Sequence, residues 1–156
     1  MAFAEETKIS FEASIAEILK MVKRAGADQV GNYEGPDRHE IHFVLSERLI
    51  RFKLPLSTLN DIPLKDGRNS IMSTPQREAR LAKHRRQRAR SLLLVIKAKL
   101  ESVESGIETL EQAFLANVVM ANGQTVYERV AEPIALEYKT GTPDVTMGLL
   151  PAPGVK

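Results

Sequence analysis

Side chains of metal-ligating type crowd together most closely at Asp37, His39, Glu40 and His42, where carboxylates and imidazoles could hold a divalent cation. That segment runs from the turn-forming Glu34-Gly35-Pro36-Asp37 into an alternating stretch. On an extended chain His39 and His42, three residues apart, fall on opposite faces, so no metal site is expected. Other chemistry is thinner still. None of the nine glycines stands in a phosphate-cradling arrangement, and neither a G-x-S-x-G elbow nor an H-E-x-x-H helix occurs. With no cysteine, thiolate metal ligands, a thiol nucleophile and disulfides are excluded. Glu101/Glu104 and Glu108/Glu111 stand at i, i+3 on polar helix faces and read as solvated charge. The chain therefore reads as non-catalytic, without a cofactor.

Charge carries more information. Between Gln76 and Lys99 stand nine Lys/Arg against one acid, Glu78, while the rest of the chain holds 13 basic and 19 acidic residues. Like charges at helical neighbour spacing repel and need a partner or bulk water. Arg77, Arg80, Lys83, Arg85, Arg86, Arg88 and Arg90 are the candidate polyanion-binding residues. His84 lies among them and reads as a surface or phosphate-contact residue. The order of charge, basic first and then Glu101, Glu104, Glu108 and Glu111, opposes the helix dipole at both ends. Antiparallel pairing of two copies is a second explanation of that order. Only 5% of residues are aromatic and none is Trp, so base-stacking platforms are poorly supplied.

The elements that must position these residues follow from periodicity. Lys8 to Phe11 alternates as a short strand, and Ser14 with Glu17 has the form of a capping box opening a helix whose apolar face is Ile15, Ile18, Leu19 and Val22, ended at Gly26. Two alternating arms, Glu40 to Leu45 and Leu49 to Leu54, form a hairpin that packs on this helix. Arg48, Arg51 and Lys53 give it a secondary basic face. Residues 57–73 lose all period and read as a linker. Thr74 and Pro75 then start a helix of about thirty residues, about 45 Å, ending at Ser105-Gly106. Leu92, Leu93, Ile96, Leu100 and Val103 form its apolar stripe, a seam either within the chain or between copies, and the basic amino half should protrude or meet a partner.

Beyond it, Ile107, Leu110 and Phe114 mark a short helix and Asn122-Gly123 a hairpin-type turn. Thr125 with Glu128 opens a last helix burying Tyr127, Val130, Ala131, Ile134 and Tyr138, with Pro133 kinking it. A flexible tail with Leu149-Leu150 closes the chain. The 156 residues, 43% hydrophobic, thus make one compact α+β domain. A strand-helix-hairpin unit (7–56) and a linker (57–73) precede a long-helix oligomerisation region (74–138) and a tail (139–156). Its small antiparallel sheet has a packed helix at the amino end and is followed by a long helix and shorter helices.

The stretch from Arg88 to Gly123, with the capped SIAEILKMVKRAGADQV and the hairpin IHFVLSERLIRFKLPL, resembles a group of small uncharacterised proteins encoded by bacteriophages and prophages. The resemblance covers roughly Thr7 to Tyr138 and brings no site motif. It implies action in a bacterial cytoplasm during infection or lysogeny. The longest aliphatic run, Leu92 to Ile96, is far short of the ~20 residues of a membrane span. Two functions follow as expectations. One is an accessory protein, homo-oligomeric, whose basic helix engages nucleic acid. The other is a counter-defence protein that blocks a host immune protein or sequesters a nucleotide signal at a subunit interface.

Overall fold

The computed structural model describes Ala4 and residues 6–143; the tail with Leu149-Leu150 lies outside the described residues. Helix α1 spans Phe11–Arg24, followed by strands β1 (Asp28–Glu34), β2 (Arg38–Leu45) and β3 (Arg48–Pro55). A 3-10 turn at Leu59–Asp61 leads to α2 (Thr74–Glu104), α3 (Leu110–Phe114), a second 3-10 turn at Leu115–Asn117 and α4 (Val126–Thr140). The α+β architecture expected from the sequence is what forms.

The strands make an antiparallel sheet in the order β1-β2-β3. Alternation places Ile41, Phe43 and Leu45 beside Ile50, Phe52 and Leu54 on one buried face, with Phe43 opposite Ile50 and Ile41 opposite Phe52. Onto that face pack Ile15, Ile18 and Val22 of α1, Ala89, Leu92, Leu93 and Ile96 of α2, and Phe114 of α3. Phe114 meets Phe43 and Phe52 edge-on at 6.1 and 6.2 Å between ring centroids, which fixes α3 against the sheet. The β2–β3 turn has two residues, Ser46 and Glu47, both at positive φ (47° and 62°), the backbone a tight antiparallel hairpin requires.

Several expectations are corrected. Lys8 to Phe11 is no strand: Ser10 caps α1, accepting a hydrogen bond from the Ala13 N–H at 3.1 Å, and Ser14 is buried inside the helix. The polar segment before Tyr33 is a strand, β1, with a bulge between Asp28 and Gly31 and Gln29 at φ 48°. Ser73, one residue before Thr74, caps α2 through a reciprocal bond pair with Gln76. Leu92, Leu93 and Ile96 are buried within this chain, with Leu100 and Val103 partly buried against them, so the stripe offered as an oligomer seam is consumed by the sheet and α1.

Ile107 is exposed and α3 starts at Leu110. In α4 only Val126 and Val130 are buried, against Val118; Tyr127 (62% exposed), Ile134 (40%) and Tyr138 (89%) face solvent. Beyond Val130 no residue of the helix is buried among the described residues. Its start was legible: Thr125 and Glu128 form the expected capping box, and Asn122-Gly123 turns with Gly123 at φ 81°. Pro133 sits inside the helix.

Candidate polyanion-binding site

The seven candidate polyanion-binding residues all lie on α2 yet do different things. Three of them reach backbone carbonyl groups at the end of β3 and in the segment that follows it. Arg77 Nη2 donates to Leu59 O (2.7 Å) and Ile62 O (3.1 Å). Arg85 donates to Ser57 O through Nε (3.2 Å) and Nη2 (3.0 Å), and to Pro36 O at 2.8 Å. Arg88 Nε reaches Pro55 O at 3.3 Å. His84 Nδ1 lies 3.1 Å from Ser57 Oγ, adding a fourth tie. The amino half of α2 therefore does not protrude as a bare stalk. It is bolted to the 55–62 strap by guanidinium forks, whose several donors suit clustered carbonyls.

A carbonyl is neutral, so these bonds hold the side chains in place and leave their charge uncancelled. Carboxylates reach this helix sparsely among the described residues. Arg90 Nη1 pairs with Glu17 at 2.9 Å, and Lys83 lies 3.9 Å from Glu6, a loose and exposed contact. Arg80 is exposed, and Arg86 is half-buried with its Nε lacking a hydrogen-bond partner. Arg80, Lys83 and Arg90 follow at helical spacing along one stripe, so the groups least committed to the chain's own carbonyls share a side. The cavity bordering this stripe is lined by Glu6, Thr7, Arg90 and Leu94 and brings one cation to one carboxylate, which is no cage for a small anion.

The secondary basic face is spoken for. Arg51 Nη2 and Lys53 Nζ both bind the Glu128 carboxylate, at 3.1 and 2.6 Å, and Arg51 also donates to Gly123 O at 2.9 Å. Arg48 lies 3.7 Å from Glu111. The Lys53 hydrogen bond and the Thr125 backbone N–H hold the Glu128 carboxyl down at about 2, against a small opposing effect of burial. These residues clamp the start of α4 to the sheet.

At the would-be metal cluster, His39 points inward and is buried against Phe11, its Nε2 3.2 Å from Asn32 Nδ2. His42 and Glu40 are partly exposed, on the opposite side of β2. Burial raises the Glu40 carboxyl, but the Arg38 hydrogen bond and the charges of His42 and Lys53 outweigh it and leave the group lowered. No three His, Asp or Glu side chains converge among the described residues. None of their helices is long and apolar enough to cross a membrane.

Sequence reasoning missed the division of labour inside the basic block. The available signal was the carbonyl-rich, period-free 57–73 segment, whose unpaired backbone acceptors need donors. Comparison with protein-family models, with curated proteins and with solved structures finds no match to this chain.

Proposed function

We propose that the amino half of α2 is the docking surface of a non-catalytic accessory protein for a polyanion, nucleic acid in the first place. Arg80, Lys83, Arg86 and Arg90 supply the phosphate contacts. Arg77, Arg85 and Arg88 act as positioning residues that hold the helix rigid and add to its field. One observation carries this reading: the tied guanidinium groups are answered by neutral carbonyls and not by carboxylates, so the local charge stays strongly positive. An exposed, convex and rigid basic helix suits the phosphate backbone of a duplex better than a single nucleotide, which needs a concave pocket. Such binding reads backbone charge and has little sequence preference. A phage origin, with action in the bacterial cytoplasm, fits an accessory of this kind and rests on resemblance alone.

The test is charge reversal at Arg80→Glu with Lys83→Glu, set against Arg85→Met, in a fluorescence anisotropy assay on a mixed-sequence duplex longer than α2. Reversal should abolish binding while thermal stability stays within a degree or two of the parent chain. If the parent chain leaves the duplex unbound at low ionic strength, the reading fails.

A further inference from the structure

The middle of α2, Leu92-Leu93-Leu94-Val95-Ile96, is apolar all the way round the helix. Leu92, Leu93 and Ile96 face the core, whereas Leu94 and Val95 point away from it, 36% and 46% exposed. A helix that is apolar on every side is ordinarily covered on every side. With Ser91 and Ala98, the two exposed residues make a second stripe at i, i+3, i+4 and i+7, its flanking members small enough for another helix to come close. This stripe differs from the buried one and uses none of its residues.

We propose that a second copy of this chain covers it, with the two α2 helices antiparallel about a twofold axis near Val95. Charge complementarity selects this occupant. Counting outward from Val95, Arg90 of one copy comes level, within about one residue, with Glu101 of the other. Among the described residues Glu101 forms no ion pair; Arg90 is paired with Glu17 at 2.9 Å, and its remaining guanidinium donors would reach the second carboxylate. The other flank of the stripe carries Arg88 and Lys99, which would repel across such a seam. Both are turned into the body instead, Arg88 onto Pro55 O and Lys99 onto Ala113 O. The arrangement also answers the adverse charge order of α2, because each basic amino half finds the other copy's acidic carboxyl half. Arg90 would serve both the second copy and a polyanion, so the two compete. Self-association is measured without any polyanion and stands or falls separately from the binding reading.

The experiment is sedimentation equilibrium at low and high salt on the parent chain, Glu101→Arg, Arg90→Glu, the double swap, and Leu94→Glu, each checked for folding by thermal melt. The expected result is a species of twice the 17.4 kDa chain mass. It should weaken at least about tenfold with either single swap or with Leu94→Glu, and return to within about threefold of parent in the double swap. A parent chain that is monomeric up to about 1 mM overturns the proposal. So does a dimer indifferent to the swaps, which would place the contact elsewhere.

Discussion

Lys53 Nζ stands 2.6 Å from Glu128 Oε1, joining the outer side of β3 to the first turn of α4 across 75 residues. The same carboxylate accepts from Arg51 and from the Thr125 N–H, at 3.1 and 2.8 Å, so one side chain caps a helix and anchors it to the sheet. Its folded value of about 2 lies below the ordinary 4.5. Ionisation therefore favours the folded state: the contribution is complete above about pH 4.5 and is lost as pH falls toward 2.

Glu128→Gln should cost about 1–2 kcal/mol at neutral pH, through the weakened cap and the two unanswered cations. The gap between parent and variant should narrow as pH drops from 5 to 3. Urea unfolding of both proteins across that range measures it.

Arg85 and Arg80 should separate stability from binding. Arg85→Met leaves the Ser57 and Pro36 carbonyls without their donors and should lower stability by about 1–3 kcal/mol. Arg80 is exposed and makes no hydrogen bond or ion pair among the described residues, so Arg80→Met should stay within about 0.5 kcal/mol of parent while weakening polyanion binding. Calorimetric melts paired with binding isotherms distinguish the two.

His39 predicts a second pH effect of opposite chemistry. The ring is buried, with Nε2 3.2 Å from Asn32 Nδ2 and Nδ1 without a hydrogen-bond partner among the described residues. Burial lowers the imidazole below its usual value, against a smaller opposing pull from the Glu34 charge. Because the unfolded chain takes up the proton more readily, stability is complete above about pH 6.5 and declines as pH falls below it. In His39→Leu the melting temperature should change less between pH 7.5 and 5 than in the parent chain.

The β2–β3 turn holds Ser46 and Glu47 at positive φ, a backbone that suits Asn and Gly far better. Replacing the pair by Asn-Gly should raise stability by about 1–2 kcal/mol, read from the shift in urea midpoint at unchanged slope.

What the sequence disclosed follows from how local each signal is. Thr125 with Glu128 was legible because a capping box is closed within four residues, and the β2–β3 hairpin because both arms alternate without interruption. Ser14 with Glu17 matched the same pattern and misled, since Ser10 reaches the Ala13 N–H first and no pattern says which hydroxyl begins the helix. A bulge and Gly31 broke the period of β1 and hid it. Tyr127, Ile134 and Tyr138 recur as a buried face would, but burial depends on whether the body extends beneath them, a tertiary fact. The basic block was plain in composition, while its partition between carbonyl-bound and outward-facing arginines depended on where the 55–62 strap crosses the helix.

The central claim, that the positive charge of α2 recruits a polyanion, is tested most directly by titrating salt against duplex affinity and plotting the two logarithms. With Arg80, Lys83, Arg86 and Arg90 each displacing a counterion, the slope should lie near −3 to −4, and each single neutralisation should reduce its magnitude by about one. A slope near zero, or a slope unmoved by these substitutions, would contradict the account.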